Sequence, residues 1–188
     1  TIDFWMKTAQ TADAMIAGQS DSTGSDPSTS WYFRINNVAN KIHILMFDGT
    51  SHQVTSTTSI NDNAWHHIAA VVSSGTLSLY IDGTSEGTPV AATGQDGTGS
   101  LSIGRLGALD SLYYNGWVDE FRVSKGIARW TANFTPPTAA YSLKTLECYS
   151  EATIKQQGSY SLKAIATITG TLTDTLIRTL TSTAILDL

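Results

Sequence analysis

Three groups of side chains in this sequence have the types needed for chemistry. Asp119 and Glu120 are adjacent carboxylates inside the largely apolar run Trp117-Val118-Asp119-Glu120-Phe121-Arg122-Val123. Glycoside hydrolysis needs two carboxylates about 5–10 Å apart across one bond, whereas neighbours on a regular strand point to opposite faces. No second carboxylate lies at a useful spacing, so the chain reads as a non-enzyme. His66 and His67 are adjacent in the same way, and a single metal cannot take both rings without distortion. They are expected to place one ring inside and the other in solvent. The third group is aromatic. Trp31, Tyr32, Tyr113, Tyr114 and Trp130 lie near loops or segment ends, where an exposed ring beside a hydrogen-bonding side chain such as Asn115 makes a platform for a sugar. Tyr113-Tyr114-Asn115 leads this set. Trp5, Trp65 and Trp117 fall inside strand runs and are assigned to the core.

The elements that must position these groups are all strands. Short runs at 2–7, 14–17, 31–35, 41–47, 65–72, 77–81, 101–104 and 117–123 show period-two or continuous apolar character, and no window keeps a helical period. Turn residues separate them: Asp48-Gly49, Asn61-Asp62-Asn63, Ser74-Gly75 and Asp82-Gly83. Asp-Gly between alternating runs is a strong hairpin signal, because both residues tolerate positive φ. The last run slips phase. Alternation from Val123 through Phe121 would put Asp119 on the apolar face, yet Val118 carries the apolar signal, which predicts a β-bulge at Asp119-Glu120.

With 188 residues the chain can hold one medium β-sandwich, or one domain plus part of another. A net charge of -5 leaves no basic footprint for nucleic acid. The single cysteine, Cys148, cannot form an internal disulfide. No apolar run approaches the roughly 20 residues of a membrane helix. Pro136-Pro137 stops a sheet and marks a border, giving residues 1–140 and 141–188. Beyond it, every second residue from Thr167 to Thr175 is threonine, which fits strands with one polar face. Thr1 opens inside a strand and Leu188 closes an apolar run, so both ends read as cut from something longer.

The blocks Thr1-Ile2-Asp3-Phe4-Trp5-Met6-Lys7, Asn63-Ala64-Trp65-His66-His67-Ile68-Ala69-Ala70-Val71, Leu77-Ser78-Leu79-Tyr80-Ile81-Asp82-Gly83 and Leu101-Ser102-Ile103-Gly104, with the closing segment from Gly116 to Trp130, resemble the laminin-G-like/concanavalin-A-like jelly-roll superfamily. The resemblance implies an all-β, antiparallel jelly-roll sandwich over residues 1–140, and a further strand before residue 1 whose absence exposes a sheet edge. It also implies that the segment after Val123 packs back across the sandwich. Residues 151–164 resemble the first strands of a galactose-binding-like, carbohydrate-binding jelly roll, so residues 141–188 read as the incomplete start of a second β module.

Glycanases of the related fold carry E-x-D-x-x-E, which this sequence lacks. Relatives often hold calcium at the sandwich rim, which implies Asp21, Asp26, Asp110 and Asp119 as candidate ligands for a cation needing 6–8 oxygens. The resulting expectation is a binding or adhesion module of an extracellular, cell-surface or virion-surface protein. Its partner is a glycan or a protein, without nucleic acid or membrane insertion. The alternative is a structural protein of a phage tail, virion decoration or extracellular filament that associates with copies of itself.

Overall fold

The computed structural model describes residues 1–20, 29–36, 39–107, 111–141, 147–155 and 159–167. Their elements are β1 (Ile2–Thr8), β2 (Ala14–Gln19), β3 (Trp31–Asn36), β4 (Lys41–Phe47), β5 (Ser51–Ser59), β6 (Trp65–Ser73), β7 (Thr76–Ile81), β8 (Thr84–Ala91), β9 (Leu101–Ile103), β10 (Gly116–Val123), β11 (Glu147–Lys155) and β12 (Ser159–Thr167). No helix occurs among the described residues. Turn chemistry sets the hairpins. Ser74 and Gly75 take φ of 48° and 75°, and Asp82 and Gly83 take 51° and 77°. Two positive φ values in a two-residue loop give the type I′ turn, whose twist matches that of the strands it joins.

The chain divides into two compact units, Thr1–Ala140 and Tyr141–Leu188. The first is a sandwich of two five-stranded antiparallel sheets, ordered β10-β1-β6-β7-β8 and β5-β4-β3-β2-β9. The second holds the hairpin β11-β12, in register from Glu147↔Thr167 to Lys155↔Ser159. Its threonine-alternating run beyond Thr167 lies outside the described residues.

Alternation builds the core. Ile2, Phe4 and Met6 of β1 point between the sheets, while Asp3, Trp5 and Lys7 point outward. Phe4 meets Phe33 edge-on at 5.0 Å and stacks on Phe121 at 5.7 Å. Burying an aromatic or aliphatic side chain of this size stabilises the fold by about 1.5–3 kcal/mol.

Strands β5 and β8 went unanticipated because they are polar edges. Of the nine residues in β5 only Val54 and Ser56 are buried, and β8 carries Pro89, which an edge tolerates. The two edges are stitched to each other. The Glu86 carboxylate accepts Thr57 N–H (2.7 Å), Thr58 N–H (3.1 Å), the Thr58 hydroxyl (2.6 Å) and the Thr57 hydroxyl. On the other side of the sandwich the edges are β9 and β10. There Leu101 and Ile103 pair with the inward-facing Gln19 and Ala17, and Val123 pairs with the core residue Ile2. All three are about half exposed. β1 itself is not an edge, since it lies between β10 and β6.

The second sheet buries another cluster on its outer face, with Met15, Tyr32, Leu45, Phe47 and Leu106. His43 sits beside it, 5% exposed, its ring 5.9 Å from that of Tyr32 and its Nδ1 without a hydrogen-bond partner. Its pKa is pushed down to about 4, first by burial and then by the Arg34 guanidinium, against an upward pull from Asp13. Below its ordinary value near 6.5 the unfolded chain binds a proton that the folded chain refuses. Stability is therefore expected to fall as pH drops from 6.5 to 4, by roughly 3 kcal/mol. Equilibrium denaturation across that window checks this, and an equal slope in His43→Gln would refute it.

Candidate functional site

The outer face of the first sheet is organised in cross-strand rows. Lys7 of β1 is opposite Trp117 of β10 and Trp65 of β6, giving the row Trp117–Lys7–Trp65. The next row is Asp119–Trp5–His67, and the third is Arg122–Asp3–Ala69. Adjacent strands lie 4.7–4.9 Å apart, so Trp117 and Trp65 stand roughly 9–10 Å from each other at the backbone. Their exposures are 59% and 44%. This corrects their assignment to the core: both share outward parity with charged residues, and nothing in the described sandwich covers them. The Lys7 ammonium lies over the Trp117 ring, 5.5 Å from its centroid.

Residues 125–140 cross the same face and cover part of it. Trp130 and Phe134 stack at 4.0 Å, and each meets the fully buried His67 ring edge-on, at 5.6 and 5.7 Å. Phe134 N–H donates to Gly83 O (2.9 Å), and Ser85 N–H donates to Asn133 Oδ1 (3.0 Å). Beneath this strap Arg122 donates to both carboxylate oxygens of Asp3, at 3.0 and 2.7 Å, and its guanidinium lies 5.8 Å from the Trp130 ring. The strap therefore hides the third row and His67, and leaves Trp117, Trp65 and Asp119 exposed, with Trp5, also assigned to the core, half-buried on the outer face.

Where the strap ends, a cavity of about 410 Å³ opens between Trp5, Trp65, Asp119, Glu120 and residues 137–140. The β-bulge expected at Asp119-Glu120 makes one of its walls. Asp3 pairs with Arg122 and Trp5 with Asp119, so Glu120 and Phe121 together oppose Phe4. Glu120 takes φ of 49°, a left-handed conformation costing a non-glycine residue roughly 1–2 kcal/mol. The extra residue returns Phe121 to the core and puts both carboxylates on the cavity. Asp119 Oδ1 accepts the Glu120 N–H at 2.8 Å.

The aromatic residues singled out from the sequence are dispersed. Trp31 and Tyr32 are 9% and 3% exposed. Trp31 stacks over Phe121 and lines a cleft of about 650 Å³ beside residues 93–96 and 123–128, whereas Tyr32 packs on the opposite face of its sheet. Neither offers an open platform, because β3 is the middle strand of its sheet. Tyr113 is 58% exposed. Tyr114 is half-buried, and its hydroxyl donates to Lys7 O at 3.0 Å. Burial pushes its pKa up to about 12. Asn115 accepts the Thr8 hydroxyl at its carbonyl (2.7 Å), so residues 113–115 tie a loop to the end of β1. Trp130 belongs to the strap.

His66 is not the solvent-facing ring expected. Its Nδ1 lies 2.7 Å from Asp82 and its Nε2 3.1 Å from Asp62, and its side chain is 12% exposed. Burial opposes its charged form, but these bonds outweigh burial and raise its pKa. Asp82, read as a turn residue, thus also clasps the start of β6. Of the residues considered for calcium, Asp21, Asp26 and Asp110 lie outside the described residues. Among the described residues no group of three or more His, Cys, Asp or Glu could hold a metal ion, and Asp119 has only Glu120 beside it in the cavity.

The model of the concanavalin A-like lectin/glucanases superfamily matches residues 1–129. The chain belongs to that superfamily. Among curated proteins none matches it. A solved structure from Bacteroides ovatus ATCC 8483, described as a "putative carbohydrate binding protein", is similar with a TM-score of 0.51 at 17% identity, over 89% of this chain and 54% of that one. The chain thus spans about half the length of that relative, and the likeness establishes the shared sandwich. Members of the superfamily include both lectins and glucanases, so the fold alone does not assign the chemistry of this surface.

Proposed function

We propose that this chain is a non-catalytic carbohydrate-binding module of an extracellular or surface-displayed protein, and that the glycan lies on the outer face of the first sheet. The observation that carries the reading is the row Trp117–Lys7–Trp65, two half-exposed indoles held by a paired sheet, with the Trp5 cavity directly below. An indole presents an apolar face for the C–H side of a sugar ring, and its rigid strand keeps that face in place. The carboxylates and Lys7 supply polar contacts around it. Membership of a superfamily that contains lectins supports the assignment. The non-catalytic part rests on Asp119 and Glu120 being adjacent on one wall, where they cannot flank a bond from both sides.

Glycan-array screening followed by calorimetric titration of the best glycan tests this. Trp65→Ala and Trp117→Ala are each expected to weaken binding at least about tenfold, or about 1.4 kcal/mol, with little change in melting temperature. Undiminished binding by the double variant would overturn the site.

One observation favours a second reading, self-assembly. Leu101, Ile103 and Val123 point inward along two sheet edges yet stay about half exposed, as an edge completed by a neighbour's strand would require. An absence of glycan binding together with a defined oligomer would favour it.

A further inference from the structure

Resting on the glycan reading, we infer that the cavity below the tryptophan row receives a cation, so that the preferred ligand is an amino sugar carrying a protonated amine. The residues lining the cavity are Trp5, Trp65, Asp119, Glu120 and residues 137–140, which makes two indoles, two carboxylates and no cationic side chain. Asp119 is directly opposite Trp5 across the β1–β10 ladder, a spacing of about 4.5–5.5 Å between Cβ atoms. Trp65 is the diagonal neighbour of Trp5 across the β1–β6 ladder, which long side chains bridge. Two indoles and two carboxylates line one space of about 410 Å³.

Each component favours positive charge. An indole face attracts an ammonium group through its quadrupole, and a carboxylate forms stronger, shorter hydrogen bonds to a charged donor than to a hydroxyl. A neutral sugar would desolvate both carboxylates and return only neutral donors. The same face already pairs cations with indoles twice, Lys7 with Trp117 and Arg122 with Trp130. Lys7 stands in the row above, with its ammonium over the Trp117 ring. The bulge matters here, because regular alternation would have sent Glu120 to the opposite face from Asp119.

The test compares a glucosamine oligomer with its fully N-acetylated counterpart of equal length, by calorimetry on the full chain at a pH where the amine is protonated. The amine form is expected to bind about tenfold or more tightly, with a preference that shrinks as salt rises. Asp119→Asn and Glu120→Gln, both nearly isosteric, are each expected to bring the ratio of the two affinities toward one. Equal affinities, or tighter binding of the acetylated oligomer, would overturn the cation site and leave the glycan reading standing. Binding of neither oligomer nor any glycan on an array would overturn both. Tighter binding of a lysine-rich peptide than of the glucosamine oligomer would overturn the sugar assignment in favour of a protein partner.

Discussion

Asp3→Ala is expected to cost about 3–5 kcal/mol of folding stability, the usual penalty for removing one partner of a buried ion pair. Asp3 is fully buried, and Arg122 donates to both of its oxygens. The His67 Nε2 lies 3.5 Å from the same carboxylate, inside a shell made by Trp5, Trp130 and Phe134. Truncation would leave the Arg122 guanidinium against the Trp130 ring without its carboxylate. Two charges in this setting are expensive to desolvate, and the pair offsets that expense only while both members are present. Arg122→Leu should therefore be comparably damaging, and Asp3→Ala/Arg122→Leu should lose well under the sum of the two. Urea denaturation of the four proteins measures it. If the double variant loses the sum of the two single losses, the residues act independently and the account fails.

Much of the sandwich was legible because local chemistry and long-range pairing agree there. Ser74-Gly75 and Asp82-Gly83 can take two positive φ values at little cost, and the structure uses them that way. The phase slip at Asp119-Glu120 became a real bulge, since Phe121 had to return to the core after two carboxylates that could not enter it. Strands β5 and β8 left no such trace. An edge strand buries few side chains, so its pattern resembles a polar loop. The tryptophans were harder still. Trp5, Trp65, Trp117 and Trp130 all reach the same outer face, and what separates covered from exposed is where residues 125–140 run. That path depends on Gly83 and Tyr80, far away in sequence, and no spacing around Trp65 or Trp117 encodes it. Outward parity was nonetheless readable, because Trp5 sits between Asp3 and Lys7 and Trp117 stands two residues before Asp119.

Gly83→Ala is expected to reach the binding face from the far side of the sheet. Gly83 has φ of 77°, and a Cβ placed on it would lie 1.8 Å from Phe134 O and 2.8 Å from Phe134 C. Backbone atoms at that distance cannot be accommodated by a rotamer change, so the strap must move. Its departure would break the Phe134 N–H to Gly83 O bond and lift the stacked Trp130 and Phe134 rings from His67 and Tyr80. Strained φ and overpacking each cost about 1–3 kcal/mol, so a loss of roughly 2–6 kcal/mol is expected. Gly49→Ala is the control. Its φ is 102° but its Cβ would meet nothing within 4 Å, so it carries the conformational strain alone. Residues 137–140 continue the strap and wall the Trp5 cavity, so Gly83→Ala should also weaken glycan binding with Trp65 and Trp117 untouched. Red-shifted tryptophan emission would report the exposure of Trp130. If Gly83→Ala matched Gly49→Ala in stability and emission, the strap would not depend on that close approach, and the cavity wall would need another anchor.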